Sequence, residues 1–135
     1  ICGVGHWDTF YNDLQNKDRI KSNFFKKNNL DINQKIILFF SSSPRDFSNA
    51  YEKIDKICSL YNDNQNYLLI ARMHPLYMDP NICKRFLGQT NEYFEKKLLD
   101  KFPKKLMFMN PKVIQFGSKT NEVFYPLEPG MLVTY

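Results

Sequence analysis

The sequence predicts an α/β domain in which a parallel sheet is flanked by helices, and three observations carry that expectation. Lys35-Ile36-Ile37-Leu38-Phe39-Phe40 and Tyr67-Leu68-Leu69-Ile70-Ala71 are short, continuous apolar runs, the pattern of parallel strands covered on both faces. Between them Phe47, Tyr51, Ile54, Cys58 and Tyr61, joined by Ile57 and Leu60, recur at spacings of three and four, which gives a helix one apolar stripe. Strands alternating with helices of this length imply parallel pairing and right-handed crossovers. The 135 residues, 43% of them hydrophobic and 24% charged, hold enough apolar material for one packed core, and residues 1–135 read as a single domain.

Each element has its own signal. Gly3 and Gly5 beside His6, Trp7 and Asp8 read as a short opening loop, and Phe, Tyr and Leu spaced among polar residues predict a helix from Thr9 to Asn29. The first strand ends at Ser41-Ser42-Ser43. Ser43-Pro44-Arg45-Asp46 then offers an N-cap hydroxyl, Pro at the first helical position and an acidic residue at the third, so the central helix is expected to begin there and to stop at Asn62-Asp63-Asn64. The second strand runs into Arg72-Met73-His74-Pro75. Asp79-Pro80 predicts the cap of a third helix, broken near Gly88 and restarted at Thr90, with Tyr93, Phe94, Leu98, Leu99 and Phe102 inside and Pro103 closing it. Leu106 to Met109 predicts a third strand, Val113 to Phe116 a fourth, and Met131 to Tyr135 a fifth after the Pro129-Gly130 turn.

Charge and cysteines narrow the setting. Nineteen Lys and Arg against 14 Asp and Glu leave a formal charge of +5, which favours phosphate-bearing partners or peripheral contact with an anionic membrane surface. Lys26-Lys27, Lys96-Lys97 and Lys104-Lys105 lack the aromatic interleaving of a nucleic-acid surface, so no nucleic-acid partner is expected. Cys2, Cys58 and Cys83 are odd in number and form no CxxC pair or zinc spacing, which predicts reduced thiols in a cytoplasmic protein, at most against the inner face of a membrane. No apolar run approaches the roughly 18 residues of a membrane span. A start at Ile1 and a strand ending on Tyr135 suggest a piece of a longer chain.

In an open α/β sheet ligands bind beyond the carboxyl ends of the strands, so the chemistry is sought there. The first strand delivers Ser41, Ser42, Ser43 and Arg45 to an expected helix N-terminus, where backbone N–H groups favour an anion. The second delivers Arg72 and His74, two residues apart and so on one face of an extended strand. Each also has a structural reading: Ser43 as a plain cap, His74 as a strand end satisfied by backbone, Arg72 as a surface charge. His6, Trp7 and Asp8 read as packing. The chain has no GxGxxG, GxxxxGK[ST], GxSxG or HExxH, which removes the main support for dehydrogenase, P-loop kinase, α/β-hydrolase and zinc-protease activities. No metal is expected.

The order Gly3-Val4-Gly5-His6-Trp7-Asp8, KIILFFSSSPRD, YLLIARMHP and late MLVTY resembles the C-terminal, donor-binding half of GT-B glycosyltransferases, a Rossmann-like parallel sheet flanked by helices. It looks closest to the CDP-glycerol glycerophosphotransferases of teichoic acid synthesis and to bacterial sialyltransferases with an HP motif. The resemblance implies a nucleotide-binding-like domain of bacterial surface-polysaccharide synthesis with no cofactor beyond an activated donor, a nucleotide-sugar or CDP-alditol carrying a cytidine nucleotide. It implies that His74 contacts the donor phosphate and stabilises the leaving nucleotide, that Ser41, Ser42, Ser43, Arg45 and Arg72 lie near the nucleotide, and that Glu122 or Glu128 holds the ribose or base. The acceptor-activating base belongs in such enzymes to an N-terminal domain, so this half is expected to bind donor without turning it over. Two rivals stand beside this expectation: a non-catalytic α/β interaction module with a basic surface, and a UDP-sugar epimerase-like domain needing carboxylates that the sequence does not locate.

Overall fold

The computed structural model of the chain describes residues 5–64, 66–110, 114–116 and 119–121. The chain divides into two compact units, residues 1–34 with 125–135, and residues 35–124.

The first unit contributes two helices, α1 (Gly5–Gln15) and α2 (Lys17–Lys27), where the sequence predicts an opening loop and one helix. The apolar residues begin early enough to carry the helix back to Gly5, so Trp7 and Asp8 lie in its first turn. Asn16 makes the break: its side-chain amide donates to the Asn12 carbonyl at 2.8 Å, four residues back, so it competes for a main-chain acceptor. Asn28 repeats the device on the Phe24 carbonyl. Asn29 follows at φ 53°, and the Leu30 N–H reaches the Phe25 carbonyl at 2.8 Å, which closes the last turn of α2 in the manner of a Schellman cap.

The second unit is a mixed α/β arrangement built on a small parallel sheet, β1 (Lys35–Phe40), β2 (Tyr67–Arg72) and β3 (Leu106–Phe108), in that spatial order. Its register sets Ile37 opposite Leu69 and Leu69 opposite Leu106, then Phe39 opposite Ala71 and Ala71 opposite Phe108. Because side chains alternate along a strand, these two rows share a face. On it pack Tyr51, Ile54 and Cys58 of helix α3 (Ala50–Leu60), Cys83 of α4 (Pro80–Leu87), Leu98 of α5 (Asn91–Lys101) and Phe102. Leu68 and Ile70, on the opposite face of β2, are buried as well, as expected of a central strand. Cys58 and Cys83 are buried free thiols, each pushed up to about 11 by burial; Cys2 lies outside the described residues.

The helix starting signals are honoured unequally. Asp79 caps α4, its carboxylate accepting from the Asn81 and Ile82 N–H groups, Gly88 ends it at φ 85°, and the Thr90 hydroxyl accepts from the Tyr93 N–H to open α5, as the sequence predicts. The Ser43-Pro44 signal yields a single turn instead, and α3 begins seven residues later at Ala50. The Ser43 hydroxyl accepts from the Arg45 N–H, two residues on, so no capping box forms. The Phe47 carbonyl takes the Tyr77 hydroxyl at 3.1 Å and so ties this turn to the segment after β2. Phe47 lies before the helix and is exposed; Leu60, the last residue of α3, Tyr61 after it, and Tyr93 and Leu99 of α5 are exposed as well. A short 3₁₀ helix, Pro75–Met78, follows β2 where the sequence predicts only a strand end.

Beyond β3 the expectation of parallel pairing fails. β4 (Ile114–Phe116) pairs antiparallel with β5 (Lys119–Asn121), since a connection this short permits only a hairpin. Val113 and the strand expected over Met131 to Tyr135 lie outside the described residues.

Candidate functional site

The carboxyl ends of β1 and β2 are tied together. As β1 ends, the Ser41 N–H donates to the Arg72 carbonyl at 3.1 Å and continues the ladder by one bond. The Ser41 hydroxyl then accepts from the His74 N–H at 2.7 Å, a contact across 33 residues of sequence. Three of the sequence-predicted residues, Ser41, Arg72 and His74, are therefore joined through main chain and one hydroxyl. Arg72 and His74 alternate with the buried Ala71 and Met73 and are themselves half-buried. Burial holds the Arg72 guanidinium below its usual pKa, because the cation loses hydration there.

His74 also caps the 3₁₀ helix: its Nδ1 accepts from the Leu76 N–H at 3.2 Å. Accepting at Nδ1 requires a lone pair there, so the ring hydrogen is assigned to Nε2. In this arrangement Nδ1 is engaged by the backbone and Nε2 is the ring's donor atom.

The other predicted residues are placed differently. Ser42 is exposed, and Ser43 is engaged in its own turn. Arg45 is exposed and lines an open depression with Asn81, Ile82, Arg85 and Phe86 of α4; Ser43, Arg72 and His74 are not among its lining residues. Glu122 and Glu128 lie outside the described residues.

A second polar group, absent from the sequence reading, sits where α3, α5 and the end of β3 meet. The Asn110 amide donates to Glu95 Oε1 at 2.6 Å. Burial raises the Glu95 pKa above its usual value, and the amides of Asn110 and Asn91 act against that rise. Among the described residues the buried Asn110 Oδ1 has no hydrogen-bond partner, while the buried Tyr51 hydroxyl lies against the Glu95 carboxylate. Burial and, after it, the Glu95 charge raise Tyr51, while burial pushes Tyr77 up to about 12. Asn91 and Glu95 share a helix face at a spacing of four, a signal present in the sequence; nothing local told that Asn110 and Tyr51 would meet them.

Among the described residues no group of three or more His, Cys, Asp or Glu stands close enough to hold a metal ion, and no helix is long and apolar enough to cross a membrane. Comparison of the chain with protein-family models, with curated proteins and with solved structures gave no match.

Proposed function

We propose that the second unit is the donor-nucleotide-binding half of a GT-B glycosyltransferase or glycerophosphotransferase of bacterial surface-polysaccharide synthesis, its parallel sheet belonging to a larger Rossmann-like one. The observation that supports the reading is the bond from the His74 N–H to the Ser41 hydroxyl, which sets two polar loops side by side at the ligand-binding edge of an α/β sheet. Transfer from an activated nucleotide builds negative charge on the leaving phosphate. The His74 Nε2–H, with Arg72 nearby in the chain, is the kind of donor set that stabilises such charge more in the transition state than in the ground state. The proposal assigns donor binding, not turnover, to this chain; the activated donor, a cytidine nucleotide by preference, and an acceptor-binding domain are its implied partners, at a cytoplasmic membrane face.

A second reading, a non-catalytic α/β module, has its own support: Ser43 and His74 already serve as a turn and a cap. Thermal-shift titration with CMP, CDP, UDP and GDP separates the two, since a ligand that binds only the folded chain raises its stability, by about 2.7 kcal/mol at a hundredfold excess over Kd. Because His74→Ala also removes the cap, His74→Asn is the better variant: its side-chain oxygen keeps an acceptor for Leu76 while the imidazole is lost. The donor reading expects a cytidine nucleotide to stabilise the native chain and to lose that effect in both variants. No shift with any nucleotide favours the module, and an undiminished shift in His74→Asn removes His74 from the nucleotide site.

A further inference from the structure

Arg45 and Arg85 reach one depression from two elements, the turn after β1 and helix α4 after β2. Both side chains are exposed, and among the described residues neither guanidinium pairs with a carboxylate. The nearest sequence acid on α4, Asp79, is engaged as the cap of that helix. Two like charges thus line a shared hollow, which favours an anion there. The remaining lining is specific in another way. Phe86 is partly exposed with the Arg85 guanidinium over its ring at 5.7 Å, Ile82 extends the apolar wall, and Asn81 adds a side-chain amide. Guanidinium forks match phosphate oxygens, and an aromatic face beside them suits a flat, π-bearing group.

We propose that this depression binds a nucleoside diphosphate, with the phosphates held between Arg45 and Arg85 and the base laid against Phe86. The inference rests on the donor-nucleotide reading but moves its phosphates from His74 to Arg45 beside α4: Arg85, Phe86 and Asn81 become binding residues, and loss of nucleotide binding in Arg85→Gln, with no loss in His74→Asn, is the outcome expected here. Sequence reading reached Arg45 but not its partners, because only the folded chain brings the turn after β1 beside α4.

Isothermal titration of the chain with pyrophosphate, CDP and UDP at low salt tests it, on the native chain and on Arg45→Gln, Arg85→Gln and Phe86→Leu, all substitutions at exposed side chains. Each arginine variant is expected to weaken every one of these ligands by about tenfold or more, the loss that follows from one charge-assisted contact. Phe86→Leu is expected to weaken the two nucleotides about fivefold while leaving pyrophosphate unchanged, as removal of a stacking surface does. Nucleotide binding that survives Arg85→Gln intact but falls in His74→Asn overturns this site and leaves the donor reading standing. Pyrophosphate binding that depends on Arg85, with nucleotides no tighter than pyrophosphate and indifferent to Phe86→Leu, overturns the nucleotide assignment and leaves an anion site. No binding of any of the three overturns both.

Discussion

Tyr77 links the segment after β2 to the start of α3, and its substitution by Phe isolates one hydrogen bond. The side chain is 0% exposed, its ring lies edge-on to Tyr51 at a centroid separation of 5.4 Å, and its hydroxyl donates to the Phe47 carbonyl at 3.1 Å. Tyr77→Phe keeps the ring and that packing. What disappears is one neutral hydrogen bond whose acceptor belongs to an exposed residue, so water can replace part of it; the net cost is expected at about 1 kcal/mol. For a chain of this size that corresponds to a fall in Tm of about 4 °C. Urea unfolding followed by circular dichroism should show a lower midpoint at unchanged m, since the area exposed on unfolding is the same. Tyr77→Ala, which removes the ring as well, should cost about 3 to 5 kcal/mol and shows that the probe senses this position. A Tyr77→Phe midpoint equal to the native one would falsify the reasoning that this bond ties the turn at Phe47 to the segment after β2.

Three further outcomes are expected. Ser41→Ala removes the acceptor of the half-buried His74 N–H and should cost about 1 to 2 kcal/mol while speeding hydrogen exchange at the His74 amide; unchanged exchange there would mean that the two loops are not joined through this hydroxyl. Glu95 has a folded pKa raised above its ordinary 4.5, so the native state binds the proton more tightly than the unfolded one, and the stability it contributes below that pH is lost as pH rises through the folded value. Glu95→Gln should therefore flatten that decline and stabilise the chain at neutral pH by about 1 kcal/mol, its new N–H able to serve the Asn110 Oδ1; a steeper decline or a loss at neutral pH contradicts this. Gly88 ends α4 at φ 85° with nothing within 4 Å of an added Cβ, so Gly88→Ala meets no clash and should cost only the backbone strain, about 1 kcal/mol by chemical denaturation, whereas Gly88→Asn should cost less.

Much of the fold was legible because its signals are local. The run 36–40 is apolar on consecutive positions, and with Lys35 it is β1; Asp79-Pro80, Gly88 and Thr90 each satisfy or release backbone groups within three or four residues, and they bound α4 and α5 as the sequence predicts. Where a local signal met a distant competitor, the sequence misled. Ser43-Pro44 has the chemistry of a helix start, yet it makes a single turn that the Tyr77 hydroxyl, 30 residues on, ties to the segment after β2. The antiparallel pairing of 114–116 with 119–121 did have a local mark, the Gly117-Ser118 dipeptide between two short runs, which the expectation of alternating strands and helices passed over.

The candidate site divides along the same line. Which residues the strand ends deliver, Ser41, Arg72 and His74 among them, follows from the sequence alone, since an apolar run must end somewhere and its polar successors must emerge at the sheet's edge. Which of them meet was decided by tertiary structure. Parallel register puts the end of β1 beside the end of β2, so Ser41 receives the His74 N–H, while Arg45 turns to Arg85 and Phe86, and Glu95 to Asn110. The physical reason is reach: a cap or a stripe is read over a few residues of chain, whereas these contacts join groups far apart in sequence and exist only once burial of the sheet and its helices has set them side by side.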